Sequence, residues 1–133
     1  MTERRETVER LYEAINSGSL DDVGEIMSPD VTWVRPPDVP ITGAVHGRRK
    51  VAKMWRAAAE PLESLRIEPT RIRELGDGLL AHVTISGTSG GDGARSSFEF
   101  SGSQTFRFGD DGGIAEVREF KTITEAEADL GGR

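Results

Sequence analysis

The chain contains no cysteine, which removes disulfides, thiolate nucleophiles and cysteine-ligated metals from its possible chemistry. It has only two histidines, His46 and His82, and neither stands at ligand spacing from a second donor, so no metal site is expected. Long apolar runs are missing as well. None approaches the ~18 residues that a membrane span requires, and the charged opening Met1-Thr2-Glu3-Arg4-Arg5-Glu6 has no apolar core of a signal peptide. No G-x-G-x-x-G or P-loop lysine follows a strand, and there is no G-x-S-x-G elbow. A soluble cytoplasmic protein with no membrane partner is expected.

Positive charge is in deficit: 17 basic against 23 acidic residues leave a formal net charge of -6. An acidic surface repels phosphates, so no nucleic-acid partner is expected. The basic residues Arg48, Arg49, Lys50, Lys53 and Arg56 do cluster, and on a helix they read as a solvated face. At 133 residues the chain makes one domain, which buries roughly two-thirds of the surface its unfolded form exposes.

What is present is periodicity. Val8, Leu11, Tyr12 and Ile15 follow the i, i+3, i+4, i+7 stripe of an amphipathic helix that Gly18 ends. A short helix over Leu20 to Met27, capped by Ser19, stops at Pro29-Asp30. Val31 to Arg35 reads as a strand halted by Pro36-Pro37, and Pro37 to Ala44 as a loop. A third helix opens at Gly47, with Val51, Met54, Trp55, Ala58 and Leu62 on one stripe. Four strands follow, Leu65 to Leu75, Leu79 to Ser86, Ser97 to Phe108 and Ile114 to Thr122. The connections, Gly76-Asp77-Gly78, the Gly-rich Gly87 to Arg95 and Asp110-Asp111-Gly112-Gly113, are those of hairpins. The predicted order is α-α-β-α-β-β-β-β, an α+β domain with three helices on one face of a mostly antiparallel sheet. Residues 1–124 form the domain, and 125–133 a polar, frayed tail.

Strand alternation assigns the faces. Phe98, Phe100, Gly102, Gln104, Phe106 and Phe108 share one side, which should be the buried one. Gln104 is the polar residue in that row, and buried it needs a partner, structural or ligand. Trp33 inward carries Arg35 inward too, unless that terminal arginine curls out to solvent. Ala81, Val83 and Ile85 form the apolar set of their strand, which turns His82 outward. In the last strand, periodicity alone does not decide which way Glu119 faces.

Several segments in this order carry a family resemblance: Leu11-Tyr12-Glu13-Ala14-Ile15-Asn16-Ser17-Gly18, Asp30-Val31-Thr32-Trp33, His46-Gly47-Arg48 with Val51, Met54-Trp55-Arg56, Phe98-Glu99-Phe100-Ser101-Gly102, and Phe106-Arg107-Phe108 before Asp111-Gly112-Gly113-Ile114. Over residues 5 to 122 the chain resembles the SnoaL-like and ketosteroid-isomerase-like branch of the nuclear transport factor 2-like superfamily. The resemblance implies a cone-shaped domain, with an apolar pocket between helices and curved sheet.

Residue by residue, it also implies where chemistry would sit. The isomerase base position is Arg35 here, the helix-one tyrosine position is Leu11 with Tyr12 beside it, and the oxyanion aspartate position is Gln104. An arginine cannot abstract a proton at neutral pH, so steroid-type isomerisation by that base is not expected. The acid/base aspartate of SnoaL-like cyclases corresponds to Glu119, and the Asp and His of the preceding strand to Gln104 and Phe106. The implied catalytic set is Glu119 as acid/base, Gln104 as oxyanion donor and Arg35 as clamp. Leu11, Tyr12, Ile15, Trp33, Met54, Trp55, Phe100 and Phe106 would line the pocket, with His82 turned inward by the isomerase alignment. The expected activity is cofactor-independent cyclase, isomerase or dehydratase chemistry on an apolar carbonyl compound such as a polyketide, in a homodimer. The alternative is a non-catalytic ligand-binding or dimerisation module of the same fold.

Overall fold

Helix α1 (Thr2–Asn16) buries Val8, Leu11, Tyr12 and Ile15 along one side, as its 3.6-residue stripe requires. The computed structural model describes residues 2–35, 43–89 and 96–131. Asn16 fixes the end of α1 to the sheet from both sides of its amide. Its Nδ2 donates to the Ile67 carbonyl (2.9 Å), and its Oδ1 accepts from the Ile67 amide (2.7 Å). Helix α2 (Leu20–Glu25) is short, and Ser19 makes no side-chain capping bond to it.

Strand β1 (Met27–Arg35) runs into strand β2 (Gly43–His46) and helix α3 (Arg48–Ala59). Gly47 makes the corner at φ 91°, a left-handed conformation that a side chain at this position would strain. Its amide donates to Val31 O (2.8 Å) while its carbonyl accepts from Val51 (3.0 Å), tying β1 to the first turn of α3. Strands β3 (Leu62–Leu75), β4 (Gly78–Ser89), β5 (Ser96–Phe108) and β6 (Ile114–Phe120) follow, and helix α4 (Ile123–Gly131) closes the chain.

The sheet has six strands in the order β2-β1-β6-β5-β4-β3. All pairs are antiparallel except β1–β6, which is parallel. Register shifts interrupt β1–β6, β3–β4 and β5–β6, and such bulges bend a sheet into the curvature of a cone. Helices α1 to α3 pack on the inner face around Trp33, Phe106, Leu11 and Ile67, all fully buried. No helix among the described residues is long and apolar enough to cross a membrane.

The α+β architecture is as expected, with several corrections. Met27 to Asp30, read as a helix end and its break, belong to β1, and Leu62, read on the stripe of the third helix, opens β3. Gly43 and Ala44, read as the end of a loop, form β2 with Val45 and His46 and pair with β1 from Thr32–His46 to Arg35–Gly43; the rest of that loop, 37–42, lies outside the described residues. The strand expected at Leu79 to Ser86 extends through Ser89, taking in Gly87; residues 90–95 are outside the description.

The segment expected as a frayed tail is α4. It packs Ala126 and Leu130 onto Leu80 on the outer face of the sheet, and Arg73 pairs with Glu127. Thr122 caps its start: the Glu125 amide donates to Thr122 Oγ1 (3.2 Å), and that hydroxyl donates to Glu125 Oε1 (3.0 Å). The last correction concerns the phenylalanine row. Phe106 is buried, but Phe98 and Phe100 remain 38% and 54% exposed, because β5 extends past the helices that cover its other end.

Candidate functional site

Register brings three polar side chains into one row across the inner face. Trp33 pairs with Val117 in the parallel β1–β6 seam, so Arg35 and Glu119, two residues on, share that face. Gln104 of β5 sits directly opposite Glu119. The strand that periodicity left undecided therefore turns Glu119 inward, and Arg35 stays inward to meet it.

Trp33 Nε1 donates to Glu119 Oε2 at 2.7 Å, and Arg35 Nε approaches Oε1 at 3.4 Å. A hydrogen bond to a carboxylate contributes about 1.5–3 kcal/mol, so the indole holds this carboxyl group in orientation. The Tyr12 hydroxyl, reaching down from α1, donates to Gln104 Oε1 at 2.7 Å. That bond turns the amide nitrogen toward Glu119. Gln104 Nε2 lies near enough to favour the charged carboxylate, yet it completes no well-formed hydrogen bond among the described residues.

Burial dominates the electrostatics. Desolvation raises the Glu119 pKa above its ordinary value, with the Arg35 charge and the Trp33 hydrogen bond pulling the other way. Burial likewise pushes the Tyr12 phenol well up, and the charge on Glu119 adds to it. Tyr12 thus remains a protonated donor, while Glu119 holds its proton more readily than an exposed carboxyl group does.

The row opens onto a cavity of about 320 Å³. Its apolar walls come from Trp55 of α3, Leu62 and Leu65 of β3, and Val83 and Ile85 of β4. Arg35, Gln104 and Glu119 supply its polar side. Phe98 and Phe100 stack at 5.9 Å and line it while still partly exposed, so they form its lip. Gly87 makes room for this lip, since a Cβ there would lie 2.8 Å from the Phe98 ring. Two larger depressions, about 410 Å³ beside α1 and α2 and about 430 Å³ beside α2 and α3, have charged side chains that all lie out in solvent. Only the smaller cavity joins apolar walls to buried polar atoms among these three.

Arg35, Gln104, Glu119, Trp55 and Phe100 line the cavity. The other expected wall residues do not. Leu11, Tyr12, Ile15, Trp33 and Phe106 are packed into the core, and Met54 packs against that core. Tyr12 meets Phe106 edge-on at 6.2 Å, so these two rings pack on each other under α1. Trp33 meets Trp55 edge-on at 5.5 Å, filling the volume beneath α3. Trp33 and Tyr12 instead hold Glu119 and Gln104 from behind. His82 lies on the outer face, where its Nδ1 contacts Ser103 Oγ at 3.0 Å; the alternation of Ala81, Val83 and Ile85 decided this, against the isomerase alignment. Leu62 and Leu65 were not anticipated as walls. Val83 and Ile85 could have been, since their inward set was already legible. Among the described residues no three His, Asp or Glu side chains converge as a metal site would require.

A family model for the SnoaL-like domain matches residues 8–117. The chain belongs to the SnoaL-like family. A comparison with curated proteins finds no match. An NTF2-like protein of unknown function from Burkholderia pseudomallei superposes with a TM-score of 0.76 at 22% identity, covering 98% of each chain. SalBIII, an epoxide hydrolase/cyclase-like enzyme in pyran ring formation of the polyether salinomycin, gives 0.75 at 19% identity, covering 92% of this chain and 93% of its own. A hypothetical protein with a ketosteroid isomerase-like fold from Catenulispora acidiphila, in complex with trimethylamine, gives 0.75 at 17%, covering 95% and 92%. At such identities the likeness is one of fold, and a SnoaL-like fold hosts many chemistries.

Proposed function

We propose that this SnoaL-like protein is a cofactor-independent acid/base enzyme of cyclase, isomerase or dehydratase type, acting on an apolar carbonyl compound of the polyketide kind. The observation that carries the reading is Glu119, a carboxyl group with a burial-raised pKa beside an apolar cavity. As base, the Glu119 carboxylate would take a proton from the carbon next to the substrate carbonyl. The electron pair of that C–H bond moves onto the carbonyl oxygen as an enolate, to which the Gln104 amide would donate. Glu119 then returns its proton to carbon or to a leaving oxygen. Positioned proton transfer of this kind contributes about 10²–10⁴-fold in rate.

Deuterium exchange at the acidic α-carbon of 2-tetralone in D₂O, followed by NMR, tests this without knowledge of the natural substrate. The wild-type protein should accelerate exchange over buffer, and Glu119→Gln should return it to the buffer rate. Equal exchange in the two proteins would remove Glu119 from the mechanism.

A second reading, a non-catalytic ligand-binding or dimerisation module, is favoured by one feature: both Glu119 oxygens already accept a donor. It expects ligand binding with no exchange by the wild type. The homodimer would then use the outer sheet strip that includes Thr84 and Ser101 rather than the area under α4, and sedimentation of Thr84→Lys would test it.

A further inference from the structure

The polar groups around the cavity are unbalanced in one direction. Its acceptor is engaged, since Glu119 takes bonds from Trp33 and Arg35. Its donors are not. Arg35 meets Glu119 only through Nε, and neither terminal guanidinium nitrogen makes a hydrogen bond among the described residues. Gln104 Nε2 and Trp55 Nε1 belong to residues only 2% and 7% exposed, and both nitrogens are buried with no partner among the described residues. All three residues line the same cavity. Buried donors are satisfied in native proteins as a rule. Arg73 Nε and Arg118 Nε are further exceptions among the described residues, but they line none of this cavity, whereas Gln104 and Trp55 adjoin open volume that can admit an acceptor beside Arg35.

We propose that the ligand of this cavity is a compact apolar carboxylic acid, bound as its carboxylate on the terminal nitrogens of Arg35 with its apolar body against Leu65, Val83, Ile85 and the Phe98–Phe100 lip. A guanidinium fork matches a carboxylate in geometry as well as charge. A neutral ligand would engage neither terminal nitrogen as a charge-assisted pair and would leave Arg35 with Glu119 alone, through Nε. A cavity of about 320 Å³ equals on the order of ten waters of liquid volume, enough for one or two fused rings rather than a long chain. The inference rests on the proposed reading of this cavity as a ligand site, and does not require Glu119 to be catalytic.

The experiment compares 2-naphthoate with its neutral isostere 2-naphthamide by isothermal titration calorimetry. Wild-type protein should bind the acid at least tenfold tighter than the amide. Arg35→Gln should erase that preference by weakening the acid alone. Glu119→Gln should bind the acid as well as wild type or better, because Arg35 is no longer shared. Should Arg35→Gln fail to fold, Arg35→Lys keeps the charge without the fork and should reduce the preference several-fold. Equal binding of acid and amide by wild type, binding of neither, or a preference that follows Lys121→Gln instead of Arg35 would each overturn the proposal. Acid binding through Arg35 without tetralone exchange would retain the ligand class and refute catalysis; exchange without acid preference would do the reverse.

Discussion

Glu116 and Glu119 lie three residues apart on β6 and face opposite sides of one sheet, and each meets an arginine. On the outer side, Arg107 Nη1 bonds Glu116 (3.0 Å) and Asp129 (3.1 Å), and its Nη2 donates to the Asp129 carbonyl (3.1 Å). Thr105 adds a bond to the same Asp129 carboxylate at 3.1 Å. Helix α4 lies over this face, and although Arg73 Nε and Arg118 Nε stay buried without a hydrogen bond among the described residues, neither lines the inner cavity. On the inner side, Arg35 reaches Glu119 with one nitrogen, and a cavity adjoins them. A buried ion pair is therefore not in itself a sign of function. Donors left over beside open volume are what separate the two faces.

The largest expected effect breaks the inner face. Glu119→Gln should lower α-proton exchange of 2-tetralone by about 10²-fold or more, while leaving the urea midpoint near that of wild type. Next in size is the outer face. Asp129→Ala removes the anchor of Arg107 and should destabilise the fold by about 2 kcal/mol, read as a lower urea midpoint at unchanged slope. Acid binding should survive in that variant; its loss would show that the two faces are not independent. Tyr12→Phe deletes the bond to Gln104 Oε1 and should cost about 1 kcal/mol, with a several-fold loss of exchange because the amide is free to turn.

The smallest effect is on pH dependence. The Glu119 pKa is raised in the folded state, so the native protein holds this proton more tightly than the unfolded chain. The resulting stabilisation is full below the ordinary value of 4.5 and is lost as pH rises through the folded pKa. Wild type should thus lose stability relative to Glu119→Gln across that interval, measured as the difference in urea midpoints from pH 4.5 upward. A difference that widens in favour of wild type would mean that Arg35, not burial, dominates the carboxylate.

Much of this was legible from the sequence. Stripe and alternation placed Tyr12, Trp33, Gln104 and His82 on the faces they occupy, because side-chain direction follows directly from helical and strand period. Glu119 was legible only through the family resemblance, since two apolar sets compete along β6 and periodicity does not select between them; pairing with β1 does. The exposure of Phe98 and Phe100 was hidden for a related reason: alternation gives a face, not how far the covering helices reach. The core positions of Leu11, Ile15 and Phe106 depended on how closely α1 docks, a tertiary quantity. Helix α4 was overlooked despite its signal, the Thr122-x-x-Glu125 pattern ahead of Ile123, Ala126 and Leu130.

The parallel β1–β6 seam has a consequence for how this site comes into being. Trp33 and Glu119 are 86 residues apart in sequence, and pairing of such distant segments is intrinsically slow. No hairpin or sequential fragment contains both partners. During synthesis Glu119 emerges late and meets its donor only when the last strand returns to the first. The proposed exchange activity would therefore serve as a clock for chain closure. In a stopped-flow refolding experiment it should lag behind the helical signal, and a chain lacking its first strand should keep the carboxyl group but have nothing to aim it.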